Sequence, residues 1–232
     1  MSQLSNRRLH FRFALPANCL TWLAYAKTGT VDKLGAWNDS SGNSKNATLY
    51  GDANVTTAGL QLDGTGDFGS VGNSLNSSLR GEMTVCFWFK ANSDYTTSQW
   101  MMGNLSATAN YCSFGIIFGQ TDNEFAWSQN GNVLDSVSTV SLSNNNWHHV
   151  VAVRSGSTDA WHIQWYFDGI PDDYDAVSGN PAISTSSLAI GRPGDYVGAY
   201  LKGAMDDVML FNRALAAAEI SSIYNNSPGT HK

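Results

Sequence analysis

Short apolar segments separated by turn-forming residues recur along most of the chain, and this pattern restricts the possible folds more than any other feature. About a dozen segments have the length of a β-strand and are bounded by Gly, Asn, Asp or Ser, for example residues 83–90 and 147–154. One segment near the C-terminus, residues 215–224, has apolar side chains at helical spacing. The chain is therefore predicted to be all-β, a two-sheet antiparallel jelly-roll sandwich with a short C-terminal helix.

The composition supports this fold class and restricts the partners. Aromatic residues make up 12% of the chain and include eight Trp, whereas charged residues make up only 14%. A net charge of -6 and an isoelectric point near 5.2 do not provide the basic surface that nucleic-acid binding needs. No apolar run is long enough to enter a bilayer as a span. We therefore expect neither nucleic acid nor membrane insertion, and an acidic chain is compatible with a cation or a neutral sugar.

The first 19 residues differ from the rest and are interpreted as an N-terminal arm before a single domain, residues 20–232. Leu9, Phe11 and Phe13 alternate with basic residues, as in an edge strand. The arm is expected either to join the domain's own sheet or to dock on a neighbouring subunit of a homo-oligomer or larger complex. Pro16 and Asn18 interrupt the apolar stretch, so no signal peptide is recognised.

The cysteines indicate neither a zinc site nor a redox pair. Cys19, Cys86 and Cys112 are odd in number and have no CxxC spacing. At least one thiol is free, and Cys86, within an apolar strand, is expected to be buried. The sequence leaves open whether any two of them form a disulfide.

Two adjacent carboxylates lie in the last long strand. Strict alternation over residues 205–211 places Asp206 with Val208 on one face and Asp207 with Met209 on the other. A carboxylate among apolar side chains needs a hydrogen-bond partner, a cation or a metal ion. Backbone N–H groups or Arg213 are the alternatives to a metal for Asp206.

Two earlier segments carry further oxygen-rich turns. Asp39 opens a loop, residues 39–46, whose Asp, Ser, Gly and Asn side chains suit either a plain turn or a hard cation. Asp63 and Gly64 follow an apolar strand and predict a β-hairpin with the next strand. Asp168 and Gly169 predict another hairpin.

Six segments in a fixed order resemble the laminin-G-like, concanavalin A-like lectin and glucanase superfamily of jelly rolls. The resemblance covers about residues 20–224 and rests on residues 39–43, 59–68, 147–152, 166–169, 188–191 and 203–220. The last segment follows the family pattern almost position by position. Its departures are small: Asp207 stands for the usual Glu, Phe211 for Tyr, and Ala216 for the Ser that would cap the helix.

The resemblance implies a structural calcium ion that ties the last strand to the first strand and the early hairpin. The family's calcium-binding Asp corresponds to Asp206, and Asp39 and Asp63 are candidate further ligands. Calcium takes six to eight oxygen ligands, including backbone carbonyls, so few carboxylates are required.

Catalysis is not expected. Glucanases of the superfamily need two carboxyl groups about 5 to 5.5 Å apart for retaining hydrolysis, and Glu82, Glu124 and Glu219 are the only glutamates in the chain. Asp122 and Glu124 are two residues apart, but they lie at a turn.

Aromatic side chains in or near loops are the candidates for ligand contact, because sugars and partner proteins stack on exposed rings. The predicted ligand-binding residues are Trp100, Trp127, Trp161, Arg192, Tyr196 and Tyr200. The remaining Trp residues are mostly expected in the core.

The sequence therefore predicts a non-catalytic lectin-like recognition or adhesion module that binds a glycan or protein surface. It is expected on a larger assembly, such as the surface of a bacteriophage virion, where it contacts neighbouring subunits through the arm. The alternative is a secreted calcium-dependent carbohydrate-binding protein, and a glycoside hydrolase is less favoured. Either main reading places the protein outside the cell or on a virion.

Overall fold

The architecture was established from a computed structural model, which describes residues 15–25, 35–91, 98–107, 111–119, 124–130, 132–138, 142, 145–227 and 231. Sixteen strands lie in this part of the chain. They are β1 (Cys19–Leu23), β2 (Ala36–Trp37), β3 (Ala47–Tyr50), β4 (Asn54–Thr56), β5 (Gly59–Asp63), β6 (Phe68–Gly72), β7 (Met83–Ala91), β8 (Gln99–Gly103), β9 (Gly115–Phe118), β10 (Phe125–Gln129), β11 (Asn132–Val137), β12 (Trp147–Ser157), β13 (Ala160–Phe167), β14 (Ile170–Val177), β15 (Leu188–Ile190) and β16 (Lys202–Phe211). A short 3-10 helix (Asn76–Leu79) and one α-helix, α1 (Ala217–Asn226), complete the described elements.

The strands form two antiparallel sheets of eight strands each, which confirms the predicted sandwich. The first sheet has the order β14-β13-β12-β7-β16-β5-β4, and β1 pairs with β16 beside this path. The second sheet has the order β11-β10-β9-β8-β15-β6-β3-β2. Sequence-distant strands lie next to each other in both sheets, so the fold depends on long-range pairing.

Strand β7 lies at the centre of the first sheet, between β12 and β16. Its inward side chains, Val85, Phe87 and Phe89, belong to the main core between the sheets. Its outward residue Cys86 belongs to a second apolar cluster on the outer face. Both faces of β7 are thus buried, which explains why the strand is apolar on both faces. The central position inferred from its sequence is confirmed.

Helix α1 covers the outer face of the first sheet. Ile220 and Ile223 have no measurable exposure and pack with Met209 and Phe211 of β16. Burying such side chains contributes about 1.5–3 kcal/mol each, so the apolar stripe of this short helix holds it on the sheet.

The turn after Asp63 differs from the predicted hairpin. The two flanking strands form as expected, but β5 pairs with β4 and β16, whereas β6 pairs with β3 and β15. Asp63 and Gly64 thus begin a crossing between the two sheets. A turn signal reports a reversal of the chain and does not decide which strands pair. The hairpin at Asp168 and Gly169 is confirmed, because Phe167 pairs with Ile170.

The strict alternation predicted for β16 is wrong. Asp206 lies opposite Trp88 and Met209 opposite Cys86, so two residues of β16 face one residue of β7. Asp207 is the inserted residue of this β-bulge and has φ +47°. Met205 and Val208 therefore both face the core, and the carboxylates of Asp206 and Asp207 both meet partners on the outer side, next to the end of α1.

Most of the predicted arm, residues 1–14, lies outside the described residues. The described part packs on its own domain, since Leu15 contacts the outer apolar cluster and the carbonyl of Ala17 accepts a hydrogen bond from Arg213 Nε at 3.1 Å. Strand β1 begins at Cys19, one residue before the predicted boundary. Among the residues described, no helix has the length and apolar character to span a bilayer.

All three cysteines are free thiols. Cys86 and Cys112 are buried, as expected for Cys86, and Cys19 is partly buried. Burial is the main cause that raises the pKa of Cys19 to about 12. A thiol with such a pKa is almost entirely protonated at neutral pH and is a poor nucleophile.

Candidate functional site

Three carboxylates converge where the chain crosses between the sheets. Asp52 follows β3, Asp63 ends β5, and Asp67 directly precedes β6. One oxygen atom from each lies within 4.8 Å of the others. The sequence Asp63-Gly-Thr-Gly-Asp67 brings the last two together, because its glycines, both at positive φ, allow a tight turn.

Asp67 holds this acidic cluster in place. Its side chain is almost fully buried, and it accepts the backbone N–H of Asp52 at 2.8 Å and that of Asp63 at 3.2 Å. Burial is the main cause that raises the pKa of Asp67, and the nearby charge of Asp63 adds to it. Asp52 and Asp63 are exposed, so their carboxylates are accessible from solvent.

Gly51 allows the chain to pass close to the cluster. It has φ +73°, and a Cβ atom there would collide with the carboxylate of Asp67 and with the carbonyl of Gly66 at 2.8 Å. Only glycine combines this backbone conformation with so close an approach.

The cluster lies in a cleft of about 370 Å³ at one end of the first sheet. Strands β5, β7 and β16 form its floor, and the residues preceding and opening β12 form one wall. Its lining combines carboxylates with amides, an ammonium group and an indole, supplied by Asp52, Asp63, Asp67, Gln61, Asn145, Lys90 and Trp147. Such a cleft can donate and accept hydrogen bonds and offers one aromatic surface.

The cluster fits a hard cation by its donor chemistry. Three carboxylates supply oxygen ligands only, which suits calcium or magnesium better than a transition metal. Asp63 is the one predicted metal ligand that belongs to it, and Asp52 and Asp67 were missed. The repeated Asp-Gly pattern of residues 63–67 was the available signal, but the approach of Asp52 depends on β3 lying beside β6.

Asp39, a second predicted ligand, organises its own loop through hydrogen bonds. Its two oxygens accept the backbone N–H groups of Trp22, Ser41 and Lys45 at 2.8–2.9 Å and the hydroxyl of Ser41 at 2.9 Å. Burial opposes ionisation, but these backbone hydrogen bonds prevail and lower the pKa of Asp39. The carboxylate thereby fastens the loop to β1.

Asp206, the third predicted ligand, also has protein partners. Its Oδ1 accepts the backbone N–H of Tyr25 at 3.1 Å and of Asp207 at 2.8 Å, and its Oδ2 lies 3.1 Å from Nε2 of His231. Asp206 thus accepts the backbone hydrogen bonds expected of it, while Arg213 pairs with Glu219. Asp206 and Asp39 lie outside the acidic cluster.

Asp207 is the neighbouring buried carboxylate. It accepts the indole N–H of Trp22 and the hydroxyl of Ser227, both at 2.9 Å. Burial, followed by the charge of Asp206, raises the pKa of Asp207. The pair of carboxylates thus joins β1, β16 and the end of α1, as an architectural element would.

The three tryptophans predicted to contact a ligand are buried or nearly so. Trp127 lies in the main core with no measurable exposure, and Trp100 and Trp161 are only 8% and 7% exposed. Trp161 and Trp127 flank the buried guanidinium of Arg154, whose Cζ lies 5.3 and 5.6 Å from their ring centroids. All three indoles belong to apolar clusters and contribute to packing.

The loop after β15 holds the other predicted contacts. Tyr196 is 48% exposed, whereas Tyr200 and Arg192 are half-buried. The guanidinium of Arg192 stacks on the ring of Phe68 at 3.6 Å, and Tyr50 stacks on the same ring at 4.5 Å. Sequence reasoning missed Tyr50, which directly precedes Gly51 and Asp52. The stack places an exposed phenol close to the acidic cluster.

Residues 63–221 match the family model described as the concanavalin A-like lectin/glucanases superfamily. The chain belongs to this superfamily. The expected family is therefore confirmed, and the cleft and its acidic cluster lie on a lectin-like sandwich. A comparison with curated protein sequences gave no significant match.

Solved structures share this lectin-like fold at low sequence identity. The receptor binding domain of botulinum neurotoxin C/D mosaic serotype has a TM-score of 0.68 and 16% identity, over 90% of this chain and 51% of that chain. Trypanosoma rangeli sialidase in complex with 2,3-difluorosialic acid has a TM-score of 0.71 and 18% identity, over 94% of this chain and 35% of that chain. The chain thus spans about half of the toxin domain and about a third of the sialidase.

One of the described glutamates, Glu219, is engaged by an arginine side chain. Glu219 forms a bidentate pair with Arg213 at 2.6 and 2.8 Å, and these hydrogen bonds lower its pKa to about 2. An acid with so low a pKa is ionised at neutral pH and cannot donate a proton to a leaving group. Asp122 lies outside the described residues.

Proposed function

We propose that the chain is a non-catalytic recognition module that binds a glycan in the acidic cleft. The observation that carries this proposal is the lining of the cleft, which places carboxylate, amide and ammonium groups around the indole of Trp147. Sugars present pairs of hydroxyls that both donate and accept hydrogen bonds, and their C–H faces stack on aromatic rings. The cleft offers both kinds of contact within one concave surface.

We further propose that calcium occupies the acidic cluster and takes part in glycan binding. Asp52, Asp63 and Asp67 would supply carboxylate ligands, and calcium accepts the backbone carbonyls or waters needed to complete its shell. A divalent cation there would offset the negative charge that three close carboxylates place in the cleft. Sugar hydroxyls could then bind the ion directly.

A glycan array screened with and without calcium, followed by calorimetry on the best ligand, tests both proposals. Asp63→Asn should weaken calcium-dependent binding at least about tenfold, because it removes an exposed ligand of the ion. Trp147→Ala should weaken binding in either condition by removing the stacking surface. Asp175→Asn, on β14 at the opposite edge of the same sheet, is the matched control and should bind like the unmodified chain.

The outcomes separate the two proposals. Binding that ignores calcium and survives Asp63→Asn but is lost with Trp147→Ala would contradict the calcium site and keep the glycan cleft. Binding that survives both changes would refute the cleft as the glycan site.

Display on a larger assembly, including a bacteriophage virion surface, is a further proposal. Its support is that structural relatives carry this sandwich within longer chains, of which it covers 51% and 35%. The sequence of the N-terminal arm, with apolar residues alternating with basic ones, is suited to contact with a neighbouring subunit. The secreted calcium-dependent lectin remains the alternative, and the two differ in whether the chain assembles.

A further inference from the structure

A second pocket lies on the outer face of the first sheet, next to the acidic cleft, with which it shares Trp147. Trp88 of β7 and Trp147, which opens β12, form two of its walls, and His149 and Tyr224 complete the aromatic surround. The ring centroid of Trp88 lies 5.3 Å from that of His149 and 5.7 Å from that of Tyr224. The pocket is filled by His231, whose centroid lies 4.2 Å from Trp147 and 5.2 Å from Trp88.

A buried carboxylate forms the polar end of this aromatic pocket. Nε2 of His231 lies 3.1 Å from Oδ2 of Asp206, and the two side chains are only 2% and 5% exposed. In the tautomer with its proton on Nε2, His231 donates a hydrogen bond to this carboxyl oxygen. Oδ1 of Asp206 is held by the backbone N–H groups of Tyr25 and Asp207, which orients the second oxygen towards the imidazole.

The contacts of the His231 side chain in this pocket differ from those of an ordinary core residue. Within the described part of the chain, Nδ1 of His231 and Nε1 of Trp88 are buried and have no hydrogen-bond partner. Buried polar atoms in a protein interior are normally paired, and an apolar side chain would fill the same space without leaving such atoms. The pocket instead recognises one edge of an imidazole through Asp206 and its faces through the two indoles, as a ligand site does.

The chemistry selects a flat, hydrogen-bonding ring. Indole faces attract cationic groups, and a carboxylate favours a donor that bears positive charge or a polar N–H. Asp207, 2% exposed and adjacent to Asp206, adds a second negative or hydrogen-bonding group on the same side. An imidazole satisfies these contacts together, because it is planar and can donate from its edge.

We propose that this pocket is a binding site for a histidine side chain carried by a peptide segment, and that the chain occupies it with its own His231. The occupant follows α1 closely: the helix ends at Asn226, and Ser227 is tied to Asp207 by a 2.9 Å hydrogen bond. His231 thereby acts as an intramolecular ligand. A partner with a histidine-bearing segment binds by replacing it.

The test uses the full chain with His231→Gly and free imidazole as the probe. Imidazole should raise the melting temperature of this variant by about 2 °C or more at saturation, because it binds the folded state only. The unmodified chain should show no such rise, since its pocket is filled. His162→Gly is the matched control, because His162 also stacks on an aromatic ring, that of Tyr174 at 4.8 Å, but without a buried carboxylate.

A peptide with the sequence of residues 227–232 tests recognition of a segment in trans. Measured by tryptophan fluorescence, it should bind His231→Gly at least about tenfold more tightly than the unmodified chain, where the pocket is available only when the chain's own histidine leaves. The same peptide with alanine for histidine should not bind, and adding Asp206→Asn to the glycine variant should weaken binding.

A second variant keeps the proposal testable if the glycine variant folds poorly. His231→Phe refills the aromatic pocket without the hydrogen bond to Asp206, so it should fold, and it should exclude both imidazole and the peptide. The proposal is overturned if imidazole stabilises the His162→Gly control as much as His231→Gly, or if the alanine peptide binds as well as the histidine peptide. Peptide binding to His231→Phe as tight as to the unmodified chain or tighter would also overturn it.

Discussion

Arg154 is the residue on which several parts of the core converge. Its side chain has no exposure, and its guanidinium donates to the carbonyls of Leu79, Gly81 and Ser113 at 2.6–3.0 Å. Burial lowers its pKa to about 9, yet backbone carbonyls, rather than a carboxylate, accept its hydrogen bonds. Through these hydrogen bonds, the guanidinium links strand β12 to the 3-10 helix and to the residues before β9.

Replacing this guanidinium should be costly. Arg154→Met keeps the volume of the side chain but removes the donor from two buried carbonyls, those of Leu79 and Ser113, at roughly 1–3 kcal/mol for each. It also removes the donor from the part-buried carbonyl of Gly81. We expect the free energy of unfolding to fall by about 3 kcal/mol or more, measured by chemical denaturation. Arg80→Met, at an exposed arginine, is the control and should change stability by less than about 0.5 kcal/mol. Equal effects of the two substitutions would contradict the structural role of Arg154.

The ion pair between Glu219 and Arg213 predicts a pH dependence. The pKa of Glu219 is lowered from 4.5 to about 2, so the folded state binds fewer protons than the unfolded state between these values. Its contribution is present above pH 4.5 and is lost as the pH falls towards 2. The difference in melting temperature between the unmodified chain and Glu219→Gln should shrink over this range. A difference that is independent of pH would contradict the assignment, and exposed Glu82→Gln is the control.

Helix α1 forms although its N-cap residue, Ala216, provides no side-chain hydrogen bond. Ala216 precedes the first helical residue in an extended conformation, and it has no side-chain oxygen to accept an N–H of the first turn. Glu219 supplies part of a capping box, since its carboxylate accepts the backbone N–H of Ala216 at 3.0 Å. Packing of Ile220 and Ile223 on the sheet provides the rest of the stabilisation.

Restoring the missing cap should stabilise the protein. Ala216→Ser places a hydroxyl where the N–H of the first turn can donate to it, and we expect the free energy of unfolding to rise by about 1 kcal/mol. Ala218→Ser, inside the first turn and exposed, is the matched control and should lower stability by roughly 0.5 kcal/mol. If both substitutions act alike, the cap is not what limits the helix.

The bulge in β16 shows a second effect at this scale. One inserted residue, Asp207, brings two carboxylates to the same side of the first sheet. In a regular strand without the bulge, the side chain of Asp207 would face the opposite side of the sheet from that of Asp206. The outer pocket around His231 depends on this local irregularity, because Asp206 keeps its position while the later strand residues shift by one face.

At the scale of the whole molecule, the proposed assembly depends on residues 1–14. Removing them should lower the mass measured by light scattering to that of a monomer, because the arm is expected to contact a neighbouring subunit. The sandwich should keep its fold by circular dichroism. A chain whose first 14 residues are replaced by an equally long Gly/Ser segment is the control for length and should also be monomeric. An unchanged mass in the truncated chain would refute the role of the arm.

Much of the fold could be predicted from the order of short motifs. The strand Met83–Ala91 was expected within a residue of its observed bounds, because a continuous apolar run identifies a strand buried on both faces. The candidate site was less predictable. Asp63 was identified, but Asp52 joins it only because β3 pairs with β6, a contact between strands that are apart in the sequence.

The sequence by itself determined the family, the all-β sandwich, the terminal helix and the turns at Asp63 and Asp168, since local periodicity and turn chemistry are encoded over a few residues. Tertiary structure alone decided which strands meet across each turn, which tryptophans are covered, and which carboxylates share a pocket. These features depend on contacts between distant segments and on a one-residue bulge. Neither the distant contacts nor the bulge leaves a local pattern in the sequence. A shift of one residue moves every later side chain of a strand to the other face, and only the partner strands decide which register is adopted.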